Sequence, residues 1–369
     1  MPAESDPDFA ALQARRILEI YSEGTARMLD LVARRLAEGI EQPGWAEMKL
    51  AQMAILQRDA RAVVDQLDNA ATSEAAAVLT DSFEEGVKAG TAELSGSVAN
   101  FGRVNEGAIN ALVRETITGL ASTKGQILRS VLDGYRDVIS ETATFVNLGV
   151  STRRQASQAA LRSFAQKGIT GFRDSAGRQW EIESYAEMTI RTASGRAAIA
   201  GHLDRIESSG NDLVIVSNHS EECKLCRPFE GKVLSISGRT TGRVGDKTVK
   251  CSVAEAQRDG FQHSNCRHNL SAFIPGLTKA PKVTSDPEGD KERQRHRALE
   301  RRVRATKREE ATQRAYVEQL RKDGNLDNES RLSLNKAIDR RKKATEALST
   351  FIEANDRKRL RYRENPGGR

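Results

Sequence analysis

Cysteine and histidine are the residues of this chain whose types and spacing could do chemistry. All four cysteines and three of the five histidines lie between residues 212 and 276. A Cys-x-x-Cys turn presents two thiolates to one ion, and zinc prefers four sulfur or nitrogen ligands in a tetrahedron. The spacing therefore predicts a structural Zn²⁺ held by a Cys-x-x-Cys pair and a His-x-x-Cys pair. The predicted ligands are Cys223, Cys226, His263 and Cys266, with His268 and Cys251 as alternates.

A second interpretation of the same residues needs no metal. The cysteines are then small buried side chains in a compact module, and the histidines are ordinary polar groups. Disulfides are disfavoured in a reducing compartment under either interpretation. The two interpretations differ in one expectation: with zinc, loss of Cys223 or Cys226 unfolds the module instead of slowing a reaction.

Two classes of enzyme use similar residues. Zinc deaminases combine His-x-Glu with Pro-Cys-x-x-Cys, and His219-Ser-Glu221 stands close before Cys223 here. One residue separates the two motifs and no proline precedes Cys223, so the strand and helix that normally join them have no room. A zinc-supported nuclease is the stronger alternative, because His268 and Asn269 follow a cysteine and one end of the chain is basic. A clear acidic cluster for a catalytic metal is missing from the sequence, which predicts that the protein is not an enzyme.

Amphipathic helices fill residues 7–165. Apolar residues recur there at three- and four-residue intervals, which places them on one helix face. Gln42-Pro43-Gly44 interrupts the first helix, and a second begins near Trp45. Thr152 and Gln155 have the spacing of a capping box for a later helix that ends at Gly168.

Strand signals begin after Gly168. Residues 172–182 surround an Asp-Ser-Ala-Gly turn and predict a short β-hairpin. Ser184 is predicted to cap a helix that runs to about Ser208 and ends at Gly210. The predicted fold class is therefore mainly α with a small α+β module: an N-terminal helical region, a central β-rich module with the cysteines, and a C-terminal antiparallel helical hairpin.

The C-terminal region is strongly basic. Residues 291–369 hold 24 Lys or Arg and 13 Asp or Glu, so they carry a net charge of +11 while residues 1–290 carry −4. Two apolar stripes on either side of a turn at residues 322–328 predict the helical hairpin. The charge asymmetry indicates an acidic partner, with nucleic acid the first candidate, although a solvated helix face has the same composition. The predicted contacts are Arg301, Arg302, Arg304, Lys307, Arg308, Arg340, Arg341, Lys342 and Lys343.

These patterns divide the chain into four parts. They are a helical assembly region (1–167), the α+β module (168–276), a linker with two prolines (277–290) and the basic hairpin with its tail (291–369). The acidic start lacks the apolar core of a secretory signal. No run of about 18 apolar residues occurs, so we expect a protein made in the cytoplasm without a membrane-spanning helix.

Five short motifs follow one another between residues 213 and 276. They are an apolar strand ending in Ser217-Asn-His219, then Cys223-Lys-Leu-Cys226, Pro228-Phe-Glu-Gly231-Lys-Val, His263-Ser-Asn-Cys266-Arg-His268 and Pro275-Gly276. In this order they resemble the phage minor capsid protein 2 family, which is related to the head-morphogenesis proteins named after the F protein of phage Mu. The resemblance extends upstream through Tyr185 to Gly210 and leaves both ends of the chain outside it.

The resemblance implies a structural component of a phage or prophage head, found in the virion after assembly in the cytoplasm of a bacterial host. It also implies association with the portal and other head proteins, and a part in head assembly and in DNA packaging or ejection. No membrane and no small-molecule substrate are expected. The basic hairpin could contact packaged DNA or acidic patches on a partner protein. A zinc-supported nuclease and a nucleic-acid-binding module outside a virion are the alternatives.

Overall fold

α-Helices make up most of the residues that the computed structural model describes, which are 9–94, 106–173, 177, 179–219, 221, 224–264, 266–284 and 286–365. The helices are α1 Phe9–Ala37, α2 Trp45–Ala51, α3 Met53–Glu93, α4 Glu106–Ala121, α5 Lys124–Asn147, α6 Arg153–Lys167, α7 Ile182–Ser208, α8 Val253–Arg258, α9 Pro287–Lys322 and α10 Asn328–Ala354. Short 3-10 helices cover Arg227–Phe229 and Arg361–Arg363. With the sheet below, these elements confirm the predicted fold class.

The strands form one hairpin and one mixed sheet. They are β1 Thr170–Arg173, β2 Gln179–Glu181, β3 Leu213–Val216, β4 Val233–Ser235, β5 Arg243–Val244, β6 Lys247–Ser252 and β7 Leu270–Ala272. β1 and β2 pair with each other, which confirms the predicted hairpin. The sheet has the order β5-β6-β4-β3-β7, in which only β4 and β6 are parallel. All four residues of β3 are buried, as a continuous apolar run in an interior strand of a sheet covered on both faces should be.

The predicted helix boundaries follow local chemistry. α1 ends at Ala37, and α2 begins after Gly44, whose φ of 68° lies in the left-handed region that glycine tolerates. The capping box before α6 is complete, because the Gln155 amide donates to Thr152 Oγ1 (3.2 Å) and the Thr152 amide donates to Gln155 Oε1 (2.8 Å).

The start of α7 differs from the prediction. The helix begins at Ile182, so Ser184 lies inside its first turn instead of capping it. β2 runs directly into the helix, and the Ile182 amide donates to the Ile169 carbonyl (3.0 Å), which holds this junction without a capping side chain. The Ser184 hydroxyl instead accepts a hydrogen bond from Arg304 Nη2 (2.8 Å).

The described residues group into two compact units. The sheet unit lies within Met1–Ile17, Ser73–Thr118 and Glu187–Gln294, and the hairpin unit lies within Leu18–Thr72, Gly119–Ala186 and Arg295–Arg369. In the sheet unit, α3 and α7 approach so closely that a Cβ on Gly86 would stand 1.9 Å from the Ala198 carbonyl oxygen. Only glycine fits such a crossing.

The hairpin unit contains the predicted antiparallel pair of C-terminal helices. Val303 of α9 packs with Ala344 and Leu348 of α10, and Leu299 and Ile352 extend the same contact. This arrangement confirms that the two apolar stripes face each other. Among the described helices, none combines the length and apolar composition needed to cross a membrane.

Candidate metal centre and basic surface

Three of the candidate metal ligands, Cys226, Cys266 and His268, meet at one end of the sheet. Cys266 and His268 precede β7, and Cys226 stands at the start of the 3-10 helix that follows β3. β3 pairs with β7, and just beyond the two strands the Ser217 amide donates to the Asn269 carbonyl (3.0 Å). The pairing therefore brings two segments that are distant in sequence to the same place.

Cys226, Cys266 and His268 form a compact group whose spacing fits one ion. The two Sγ atoms lie 3.6 Å apart, and Cys266 Sγ lies 3.5 Å from His268 Nδ1. The three ligand atoms all lie within 4.8 Å of one another. In a tetrahedral zinc site with ordinary bond lengths, two sulfurs are separated by about 3.8 Å and a sulfur and a nitrogen by about 3.6 Å. The separations of Cys266 Sγ from Cys226 Sγ and from His268 Nδ1 are close to these values.

Glu230 orients the histidine of this group. Its Oε1 lies 2.6 Å from His268 Nε2 and also accepts the His219 backbone N–H (3.1 Å). The Glu230 side chain is fully buried, and its Oε2 accepts no hydrogen bond from the described residues. Because a carboxylate only accepts, Nε2 carries a proton and Nδ1 is left facing Cys266. Metal-binding histidines in proteins are usually held by an outer carboxylate in this way.

The electrostatics of the group favour a thiolate. The hydrogen bond with Cys226, together with those of His268, lowers the pKa of Cys266 although burial opposes the shift. Burial lowers the pKa of His268, but its contacts with Cys266 and Glu230 outweigh burial and raise it. A thiolate is the form of cysteine that binds metals, so Cys266 is prepared for ligation.

Aromatic side chains enclose the group on one side. The ring centroid of Phe261 lies 6.1 Å from that of His268 and 5.4 Å from that of Phe229. Both phenylalanines belong to the apolar cluster that also contains Cys226. Cys226 is completely buried in this cluster, and the exclusion of water around its sulfur strengthens electrostatic interactions there.

The described residues place two other predicted ligands, His263 and Cys251, outside this group. Cys223 lies outside the described residues. His263 is partly exposed, its Nδ1 lies 2.7 Å from the Ser264 carbonyl oxygen, and it is not among the three grouped ligands. Cys251 packs against the same apolar cluster, and burial raises the pKa of its thiol, but it too stands apart from the grouped ligands. Sequence reasoning missed Glu230, which occupies the unspecified position of the Pro-aromatic-x-Gly-Lys-Val motif and carries no spacing signal.

The nine basic residues predicted to contact nucleic acid fall into three sets. Arg301, Arg302, Lys342 and Lys343 are exposed. Arg304 and Arg308, in contrast, are almost completely buried.

The two buried arginines are paired with carboxylates. Arg304 Nε and Arg308 Nη1 lie 3.0 Å and 3.1 Å from Glu183 Oε2, and Arg308 Nη2 lies 3.1 Å from Glu181 Oε1. Both arginines are therefore committed to the interior of the hairpin unit and have almost no exposed surface for a phosphate.

The last three basic residues are held within the hairpin. Arg340 pairs with buried Glu309, and Arg341 Nε lies 2.6 Å from Glu310 Oε2. Lys307 is half-buried, and burial lowers its pKa. The exposed basic surface that remains consists of Arg301, Arg302, Lys342 and Lys343, called here the basic surface.

Comparison with protein families gives one match that spans most of the chain. The family described as phage minor capsid protein 2 matches residues 6–345. The expectation that both ends of the chain lie outside the resemblance is therefore wrong, because the match takes in the N-terminal helices, α9 and most of α10. Amphipathic helices preserve a pattern of apolar positions rather than particular residues, so no short motif marks them.

A structural protein of Lactococcus phage LL-H is 23% identical to the chain over 146 residues. The aligned part amounts to 39% of this chain and 39% of that protein, so the chain spans well under two thirds of the relative's length. No solved structure matches the chain.

Proposed function

Because the chain belongs to the phage minor capsid protein 2 family, we propose that it is a structural component of a phage or prophage head. In this proposal it associates with the portal vertex and acts in head assembly and in DNA packaging or ejection. The observation that carries the proposal is the family match over residues 6–345. The name of the relative from phage LL-H, a structural protein, also supports a structural rather than an enzymatic role.

The proposal divides the work among the regions of the chain. The helices of residues 1–167 dock on another head protein, residues 168–276 form a rigid module, and the hairpin of residues 291–369 meets packaged DNA beyond the junction at 277–290. The protein is located in the virion and assembles in the cytoplasm of the bacterial host. Long helices with one buried face support such a role, since their other face is available for protein contacts.

A structural Zn²⁺ completes the rigid module. Cys226, Cys266 and His268 supply three ligands, and Cys223 supplies the fourth, which gives the closed four-ligand site typical of structural zinc. The Sγ–Sγ and Sγ–Nδ1 separations support this set. His263, which the spacing favours, is the alternate histidine.

Elemental mass spectrometry tests the zinc assignment. We expect one zinc per chain in the wild type, loss of metal and of folded structure in Cys226→Ser, and retained metal in the matched control Cys251→Ser. Purified wild-type protein without metal would show that the cysteines are packing residues.

The basic surface contacts DNA through phosphates. Each phosphate contact contributes about 0.9 to the slope of log affinity against log salt, so four contacts give a slope of about −3.6 with little sequence preference. The charge reversals Lys342→Glu and Lys343→Glu should flatten this dependence, whereas Lys336→Glu, an exposed control on the same helix, should not. Binding that survives high salt would contradict phosphate contacts.

Co-sedimentation with heads tests the function as a whole. Heads assembled with the wild-type chain should retain it through a density gradient, and heads assembled without it should package or eject DNA poorly. Salt-sensitive DNA retention without association with heads would instead support a nucleic-acid-binding module outside the virion. Metal-dependent cleavage of plasmid DNA that His268→Ala abolishes would support a nuclease.

A further inference from the structure

Three large apolar side chains are exposed on the segment that follows β7. They belong to residues 274–284, here called the strap: Ile274 is 43% exposed, Leu277 is 77% exposed and Val283 is 48% exposed. Leu277 is the most exposed large apolar side chain among the described residues. A cluster of such side chains on one short segment is typical of a contact surface.

Hydrogen bonds hold the strap in one conformation. At its start, Thr278 Oγ1 accepts the Ile274 backbone N–H (2.8 Å). At its end, the Asn218 side chain donates to Thr284 Oγ1 (3.0 Å) and accepts the Thr284 backbone N–H (2.9 Å). Between them, Ala280 packs on the apolar cluster around Phe273. The exposed side chains are therefore presented in advance of binding, which reduces the entropy that a partner must overcome.

The strap itself carries positive charge and no carboxylate, and the next acidic residue along the chain, Asp286, accepts the Gly289 backbone N–H at the start of α9. From Cys266 to Thr284 the chain contains no Asp or Glu. Lys279 and Lys282 are exposed, and neither has an ion pair among the residues that the structure describes.

A second segment adds to this charge. The turn between β5 and β6 lies beside Pro275, because a Cβ on Gly245 would stand 3.1 Å from the Pro275 Cβ. The strand residues that flank this turn, Arg243 and Lys247, add positive charge near the strap, and the turn itself holds one acidic residue, Asp246. The strap therefore exposes apolar side chains that have basic residues near them.

We propose that the strap is a docking surface for another head protein, whose contact region carries apolar side chains flanked by carboxylates. Charge complementarity selects the acidic partner, and Ile274, Leu277 and Val283 supply the apolar contact. Nucleic acid is disfavoured because these apolar side chains would lie against phosphates. The proposal rests on the proposed function, since it assigns a face and a chemistry to that function's protein partner.

Photo-crosslinking in assembled heads tests this directly. The full-length chain carries a benzophenone amino acid in place of Leu277, and mass spectrometry identifies the residues that it captures. We expect a head-protein segment in which Asp or Glu flanks apolar residues. Capture of DNA, of lipid or of a basic segment, or no capture in heads that contain the chain, would overturn the proposal.

Charge and apolar variants supply the second measurement. Leu277→Ser and the pair Lys279→Glu with Lys282→Glu should each lower incorporation into heads by about tenfold, the size expected for losing one anchor of an interface. Leu332→Ser is the matched control, because Leu332 is 53% exposed on α10, away from the strap in sequence. Circular dichroism confirms that each variant remains folded.

The outcomes separate the two proposals. Wild-type chain absent from purified heads would count against the proposed function itself. Wild-type chain present, with the strap variants incorporated as well as the control, would leave the proposed function standing and reject only the docking surface.

Discussion

Glu230→Gln is the substitution that best tests the proposed zinc site. Glutamine has almost the volume of glutamate and keeps an oxygen that can accept from His268 Nε2, but it lacks the negative charge. The Glu230 side chain is fully buried and the contact is 2.6 Å long, so solvent does not screen the lost charge. The substitution therefore changes the electrostatic support of the histidine and leaves the three ligand side chains in place.

The expected magnitude follows from the kind of hydrogen bond that is replaced. A hydrogen bond to a charged group contributes about 1.5–3 kcal/mol, and a neutral one contributes about 0.5–1.5 kcal/mol. The difference of about 1–1.5 kcal/mol corresponds to an approximately tenfold weaker affinity for zinc. Mutation of an outer-shell partner typically weakens metal affinity by roughly 10- to 100-fold, and the expected loss lies at the lower end of this range.

Competition with a chromophoric chelator measures this affinity. Glu255→Gln is the matched control: Glu255 accepts the Ser252 backbone N–H in the capping box of α8, and it belongs to the same module without touching the ligands. We expect Glu230→Gln to bind zinc about tenfold more weakly and the control to bind it as the wild type does. Equal affinity of Glu230→Gln and wild type, with Cys226→Ser unable to bind, would refute the outer-carboxylate role of Glu230.

Three further substitutions test the fold by urea unfolding. Gly86→Ala places a Cβ against the Ala198 carbonyl oxygen, which is backbone and cannot turn aside, so the unfolding free energy should fall by about 1–3 kcal/mol; an unchanged midpoint would contradict the close helix crossing. Glu183→Gln leaves Arg308 with one fewer buried carboxylate and should cost about 3–5 kcal/mol, and a variant as stable as wild type would show that the pair is not needed. Burial raises the pKa of Asp212, but hydrogen bonds from Thr240, Ser237 and Ser235 outweigh it and hold the pKa below its usual range. The resulting stabilisation is complete above a pH of about 4 and is lost as the pH falls through the native pKa, so the deficit of Asp212→Asn should shrink in acid; a constant deficit would point to packing instead.

Local chemistry explains which elements could be predicted from the sequence. The capping box of Thr152 and Gln155, the break at Gly44 and the facing stripes of α9 and α10 all depend on residues a few positions apart. Ser184 shows the limit of this reasoning. Its side chain suits a cap, but the preceding strand already fixes the helix start, and the serine bonds to Arg304 instead.

The candidate metal centre divides in the same way. Spacing singled out Cys226 and Cys266, because two cysteine motifs within one module suggest one ion. Spacing favoured His263 over His268, because two residues separate His263 from Cys266, as in the Cys-x-x-Cys pair. The structure places His268 beside Cys266 and Glu230, and the choice of histidine for zinc stays a prediction.

The basic residues show most clearly why charge alone is insufficient. All nine predicted contacts count alike as basic residues in the sequence. In the structure, Arg304 and Arg308 are buried against Glu181 and Glu183, whereas Lys343 is exposed. A helix turns about 100° per residue, so neighbouring arginines point in different directions, and which direction is interior depends on the element packed there.

The sequence by itself determined the family resemblance, the helical character, the cysteine pairs and the basic C-terminal region, because each is a property of residue order and short-range spacing. Tertiary structure decided that Glu230 supports His268 and that the side chain of Leu277 on the strap is exposed. Glu230 and His268 are 38 positions apart in the chain. The strap follows β7, so its position depends on strand pairing and on the packing of Ala280. Pairing of β3 with β7 brings these distant segments together, and no local pattern in the chain specifies which strands will be neighbours.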